Sequence, residues 1–246
     1  MPSAEIAART TAPTELVIGG ETFRLEEHKP VSFARREVDV CFVFDTTFSM
    51  VDKIEGLVDC MNALVRDLAR LALAWRLTTV PFGDLLVPGD RVVLDQPFVI
   101  DVDAAAEQLR TMPHFSGGGN LGESAVEAML AACAKSYRPR AVKVFVLVTD
   151  EPAHGHVEGD RAVHDALTAL DAACFTVTPD LDYYRRWAEN HGGEWRQVAA
   201  AVDTSAILAL FASLLTRLVE VADAVHRIGG GSVRAYLERG IEGSTP

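Results

Sequence analysis

The chain is short of positive charge. Lys and Arg number 23 against 35 Asp and Glu in 246 residues, a formal charge of −12 and a pI near 5.0. Binding nucleic acid needs a basic face that displaces counterions from phosphates, so the balance argues against a nucleic-acid partner. Long apolar runs are missing as well. No uninterrupted stretch reaches the roughly 18 residues of a membrane-spanning helix, so no membrane association is expected. Met1 to Leu16 lacks the basic and then apolar regions of a secretory signal, which predicts a cytoplasmic protein. Cysteines are few, and Cys41, Cys60, Cys133 and Cys174 stand far apart in apolar contexts with no CxxC pair, the pattern of buried reduced thiols. The 18 Gly and 11 Pro follow no period, which excludes a collagen-like chain.

What is present is a globular mixture, 49% hydrophobic and 24% charged, of a length that suits one α/β domain with appendages. Residues 1–14, rich in Ala, Thr, Ser and Pro, read as a flexible tail. In residues 15–35, Leu16-Val17-Ile18 and Thr22-Phe23-Arg24-Leu25 flank Gly19-Gly20 and predict a β-hairpin appended to the main domain. The main domain is expected over 36–228. Val38 to Phe44 and Ala141 to Val148 are nearly continuous apolar runs, as in parallel strands buried on both faces. From Val51 to about residue 72, three- and four-residue spacing predicts an amphipathic helix. Ala74 to Phe82 predicts a strand, and Arg91 to Ile100 an edge strand or extended loop. Helices are expected at 101–110, 122–134, 157–172, 181–190 and 204–226, with strands at 174–178 and 194–198. On the last helix, Ile207, Phe211, Leu214, Leu218 and Val221 read as sheet packing, while Leu210, Leu215 and Val225 form a surplus that could support a dimer. Beyond Gly229-Gly230-Gly231, residues 229–246 read as an extension of uncertain order. Alternating strands and helices imply an α/β fold with a doubly wound, mostly parallel sheet and helices on both faces.

Such sheets bind ligands beyond the carboxyl ends of their strands. The first buried strand ends in Asp45-Thr46-Thr47-Phe48-Ser49, so Asp45, Thr47 and Ser49 alternate along one turn. The second ends in Val148-Thr149-Asp150, and between them the loop Ser116-Gly117-Gly118-Gly119-Asn120 leads to Glu123. These are hard oxygen donors, suited to Mg²⁺ rather than to Zn²⁺, which favours His and Cys. An Asp and a hydroxyl at a strand end also serve as ordinary helix caps, but two buried strands each ending in Asp are less simply explained that way.

On these residues the chain resembles the von Willebrand factor A (vWA) domain over roughly residues 36–226. Asp45, Thr47 and Ser49 resemble the DxSxS element of the family's metal-ion-dependent adhesion site, with Thr for the first Ser. Ser116 to Glu123 is similar to the GGGDxPE variant of intracellular bacterial-type members, and Leu147 to Gly155 to their TDAPPHG-type loop. The resemblance implies Mg²⁺ or Mn²⁺ held by Asp45, Thr47, Ser49, Asn120 and Asp150. It further implies an adaptor that is not an enzyme and whose metal takes an Asp or Glu from a protein partner. Relatives often work with AAA-type ATPases, kinases or phosphatases, including in stress and defence systems. Gly119 replaces the threonine of the integrin-like pattern and Asn120 replaces the variant's Asp, which should weaken metal affinity while keeping a carbonyl oxygen. Loop residues expected to be exposed and to select the partner are Phe48, Met50, Asp84, Phe115, Glu151 and His154.

Other readings are weaker. A metal-independent scaffold with a degenerate site is the main alternative. A phosphotransferase of the haloacid dehalogenase type needs a second Asp where Thr47 stands, and a metal-assisted hydrolase has only His114 or His154 as an obvious base. Gly117-x-Gly119-x-x-Gly122 satisfies GxGxxG but does not follow the first strand. His154-x-His156 with Cys174 lacks the further ligands of a zinc site. Asp52, Glu55 and Asp59 suit a helix N-terminal half without further role.

Overall fold

The computed structural model describes residues 15–18, 21–24, 36–50, 73–118, 122–198 and 204–242. The predicted helix from Val51, with Cys60, Asp52, Glu55 and Asp59, lies outside them, as do Gly119 and Asn120. The chain divides into two compact units, Met1–Ala34 and Arg35–Pro246. In the first, β1 (Glu15–Ile18) and β2 (Glu21–Arg24) pair antiparallel with Leu16 opposite Phe23, as a hairpin requires.

The second unit holds a wholly parallel five-stranded sheet. Its strands are β3 (Glu37–Asp45), β4 (Ala74–Phe82), β5 (Val142–Val148), β6 (Ala172–Thr178) and β7 (Trp195–Gln197), in the order β4-β3-β5-β6-β7. Because side chains alternate along a strand, the continuous apolar runs supply two cores. Val38, Val40, Phe42 and Phe44 of β3 pack with α1 (Val102–Arg110), α5 (Thr204–Arg227) and α6 (Val233–Glu242). Cys41 and Val43 pack with α2 (Ala125–Cys133), α3 (His156–Leu170) and α4 (Asp182–Glu189) on the other face. Burying a side chain such as Phe42 contributes about 1.5–3 kcal/mol, so both runs favour a sheet covered on each side.

One charge interrupts β3 near its start. Asp39 is fully buried and accepts from Arg76 Nε and Nη2 at 2.8 and 2.7 Å and from the Arg138 backbone N and Nε at 2.7 Å each. Arg138 Nη2 also donates to the carbonyls of Val38 and Ala74, so one guanidinium ties β3 to β4. A buried carboxylate persists here because its lone pairs are met by charged donors.

Several expectations shift. The helix predicted from residue 122 starts at Ala125, since Glu123 bridges in parallel to Ala153 and Ser124 Oγ accepts from Leu85 N at 2.9 Å instead of capping. The helix predicted to reach 172 stops at Leu170, where Asp171 takes a left-handed conformation (φ 51°) and Ala172 opens β6. Residues 91–100 form only isolated antiparallel bridges, Val92 to Phe82 and Val99 to Leu77. The stretch after Gly231 is ordered as α6, with Val233 buried and Tyr236 and Leu237 against the core. Leu215 and Val225, read as a surplus for dimerisation, are core residues beside Leu214, Leu218 and Val221. The side chains of Ile207, Leu210 and Phe211 lie outside the description. Cys41 and Cys174 are buried free thiols, whereas Cys133 is half-buried. Among the described residues, no helix is long and apolar enough to cross a membrane.

Candidate metal centre

From β3 the chain moves to β4 on one side, and β5 later fills the other side, so the strand order reverses across β3 and β5. Loops diverge at such a point and leave a crevice beyond the carboxyl ends. Asp45, the last residue of β3, lies there fully buried. Behind it Thr46 N donates to Phe82 O at 2.9 Å, and the chain tightens into a 3-10 turn at Phe48–Met50.

That turn gathers four side chains. Asp45 Oδ1 accepts from Thr47 N at 2.9 Å and from Thr47 Oγ1 at 2.6 Å. Ser49 Oγ donates to Asp150 Oδ1 at 2.9 Å, and the Thr47 and Ser49 hydroxyl oxygens stand 3.3 Å apart. A hydroxyl carries a single hydrogen. With both carboxylates ionised, the hydrogen of Thr47 goes to Asp45 and that of Ser49 to Asp150, so the two oxygens face each other with lone pairs alone. Neighbouring ligands of an octahedral Mg²⁺ at about 2.1 Å are about 3.0 Å apart, close to this separation. The donor set therefore fits a hard dication. Among the described residues, three or more His, Cys, Asp or Glu side chains do not converge as a metal cluster, and the arrangement is two carboxylates joined through two hydroxyls.

The flanking loop is built around the same point. Gly117 has φ +66°, and a Cβ there would lie 3.1 Å from both Thr47 Cβ and Glu123 Oε1. Only glycine suits that conformation and that approach. Asp90 fixes the loop by accepting from Ser116 N at 3.1 Å and Gly117 N at 3.0 Å. Glu123 is 4% exposed, and its Oε2 has no hydrogen-bond partner among the described residues. Thr47, Ser49, Gly117, Gly118, Glu123 and Glu151 line a pocket of about 250 Å³.

Burial and like charge oppose ionisation here. Burial raises the Asp45 carboxyl to about 6, against the hydrogen bonds from Thr47 and Thr149 and with a smaller contribution from Asp150. Glu123 rises to about 8, first through burial and then through Asp45, Asp84, Asp90 and Glu151. A cation in this pocket would offset both effects.

Of the residues expected from the sequence, Asp45, Thr47, Ser49 and Asp150 come together, and Asn120 lies outside the described residues. Among the expected exposed loop residues, Phe48 is 81% exposed, and Phe115, Glu151 and His154 are half-buried. Met50 and Asp84 are buried, contrary to expectation: the 3-10 turn sends Met50 into the core, and Asp84 Oδ1 accepts from Leu86 N at 2.9 Å inside its own turn. His154, His156 and Cys174 do not converge. His154 Nε2 lies 3.5 Å from Asp84 Oδ1, His156 stacks on Tyr183, and Cys174 is sealed in β6.

Two contributors escaped the sequence. Thr149 Oγ1 donates to Asp45 Oδ2 at 2.7 Å and so joins the ends of β3 and β5. Its position beside Asp150 was the available signal. Asp90 offered none, because its role depends on a loop distant in sequence.

No family model matches the chain, and no curated protein does. Among solved structures, proximal thread matrix protein 1 from the mussel byssus is similar over 75% of this chain and 48% of its own, with TM-score 0.55 and 13% identity. A second crystal form of that protein gives TM-score 0.57 and 12% identity over the same shares. This chain thus spans about half the length of the structures it matches. At such identity the likeness concerns the fold alone, a doubly wound α/β sheet with helices on both faces.

Proposed function

We propose that the chain is a vWA-type interaction module of the cytoplasm. In this reading Asp45, Thr47, Ser49 and Asp150 hold Mg²⁺ or Mn²⁺, with Asn120 as a further ligand, and the ion takes a carboxylate from a partner protein. The supporting observation is the pair of hydroxyl oxygens 3.3 Å apart, each within hydrogen-bond distance of a carboxylate oxygen, Thr47 of Asp45 and Ser49 of Asp150. Bound there, the dication supplies a Lewis-acidic position that an Asp or Glu can enter in place of water. The chain's own part is to hold two carboxylates and two hydroxyls at one strand-end crevice. Thr149 and the backbone of Thr47 orient Asp45 meanwhile. The role is binding rather than catalysis, with an AAA-type ATPase, kinase or phosphatase as the class of partner suggested by the family resemblance.

Thermal unfolding in chelator and in Mg²⁺ tests this. A ligand at 100 times its Kd stabilises the native state by about 2.7 kcal/mol, or about 5–11 °C in a unit of this size. Wild type should shift by this order, and Asp45→Asn and Asp150→Asn should not. Equal midpoints for wild type with and without Mg²⁺ or Mn²⁺ would favour the second reading, a metal-independent scaffold. That reading draws support from the way Asp45, Thr47, Ser49, Thr149 and Asp150 already satisfy one another.

A further inference from the structure

The loops that frame the candidate metal centre carry an unusual share of exposed apolar side chains. Seven large hydrophobic residues are exposed among the described residues, and four of them, Phe48, Leu85, Leu86 and Val157, lie on segments that follow β3, β4 and β5. Phe48 is 81% exposed, Leu86 69% and Val157 84%. These three strands are adjacent in the sheet, so the segments leave it side by side. Hydrogen bonds join them into one surface. Ser49 Oγ reaches Asp150, Leu85 N donates to Ser124 Oγ, and Glu123 N donates to Pro152 O. Scattered exposed hydrophobics need no explanation, but here Phe48 lines the polar pocket itself, and Leu85, Leu86 and Val157 stand on segments hydrogen-bonded to those around it, the placement of an interaction surface.

The charge of this surface is one-sided. On segments 45–50, 83–91, 111–118, 122–124 and 149–158 the exposed or half-buried acids Asp90, Asp150, Glu151 and Glu158 stand against the single Arg91, while Asp45, Asp84 and Glu123 on the same segments are buried. A bound dication leaves the balance negative. An approaching carboxylate therefore meets repulsion from the rim while the metal attracts it, and only cations flanking that carboxylate remove the penalty.

We propose that the partner segment presents its Asp or Glu between apolar residues and within a basic stretch. The apolar side chains cover Phe48, Leu86 and Val157, while Lys or Arg answers the acidic rim. Metal coordination supplies little selectivity alone, so the rim discriminates between acidic segments. This inference rests on the metal-dependent reading above.

The test uses the full chain and three fluorescein-labelled nonapeptides, each with one central Asp. The first carries Leu and Phe around the Asp and Lys and Arg at its ends. The second replaces Leu and Phe by Ser, and the third replaces Lys and Arg by Glu. Anisotropy is read in Mg²⁺ and in chelator at low and high salt, with Mg²⁺ uptake measured separately by calorimetry. The first peptide should bind in Mg²⁺ and be released by chelator, at least about tenfold tighter than either other peptide, as lost apolar burial or lost charge pairing requires. Its affinity should fall with salt. The double variant Leu86→Ser/Val157→Ser should lose the preference for the first peptide over the second while Mg²⁺ uptake persists. A chain that takes up Mg²⁺ yet binds the three peptides equally, or binds none, overturns the proposal and leaves the metal reading standing. A chain that takes up no Mg²⁺ overturns both.

Discussion

Replacing Thr149 by Val asks how the buried carboxylate of Asp45 is held. Val has the shape of Thr without the hydroxyl, so the change removes the 2.7 Å hydrogen bond to Asp45 Oδ2 and the 3.2 Å bond from Glu151 N. A hydrogen bond to a charged group contributes about 1.5–3 kcal/mol and a neutral one about 0.5–1.5. The sum, about 2–4.5 kcal/mol, lowers the midpoint by roughly 4–18 °C at the 2–4 °C per kcal/mol typical of this size. Urea and thermal unfolding followed by circular dichroism at pH 8 in chelator would measure it without metal. Thr149→Ser keeps the hydroxyl and should cost less than half as much. The sign of the pH dependence is fixed too. Asp45 titrates near 6 in the folded chain, above its unfolded value of 3.8, so between the two the unfolded chain ionises while the folded carboxyl keeps its proton, and stability falls as pH rises until the folded group ionises as well. Without Thr149 the ionised form loses a donor, so the folded pKa rises further, and the variant's deficit grows between pH 5 and pH 8. A deficit below about 0.5 kcal/mol at pH 8, or one equal at both pH values, would refute this account of the site.

Three further outcomes follow from the same structure. Asp39→Asn removes the buried charge that Arg76 and Arg138 share, and urea unfolding should show a loss of about 3 kcal/mol, the lower end for a broken buried pair because both arginines keep partial solvent access. Burial, with His164 nearby, lowers His191 to about 4, so stability it contributes is complete above about 6.5 and lost as pH falls toward 4. The slope is at most about 1.4 kcal/mol per pH unit, and His191→Gln should flatten it in a ΔG-against-pH series. Gly117→Ala forces a Cβ into a left-handed position 3.1 Å from Thr47, and should cost about 1–2 kcal/mol in thermal unfolding and weaken Mg²⁺ uptake in calorimetry.

Where a residue's role was set by its immediate neighbours, the sequence revealed it. The continuous apolar runs ending at Asp45 and before Asp150 identified the two central strands, and alternation placed Asp45, Thr47 and Ser49 on one turn. Roles set across the fold were hidden. Met50 follows a polar turn and so looked like a loop residue, yet the 3-10 geometry returns it to the core. Leu215 and Val225 looked surplus, yet both join the core beside Leu214, Leu218 and Val221, and the helix α6 that packs against α5 was not anticipated. The helix is only ten residues long and follows three consecutive glycines, which obscured its periodicity. Glu123 was visible as a donor, but its burial among four other carboxylates arises only when distant loops meet.

In the proposed function Asp45 and Asp150, joined through Thr47 and Ser49, hold a divalent cation. Calorimetric titration of Mg²⁺ and Mn²⁺ into chelator-stripped chain tests it most directly, with Asp45→Asn and Asp150→Asn alongside and circular dichroism confirming that both variants fold. Wild type should give a saturable one-site isotherm that both substitutions abolish. A flat trace in wild type for both ions, or an isotherm unchanged in both variants, would contradict the proposed function.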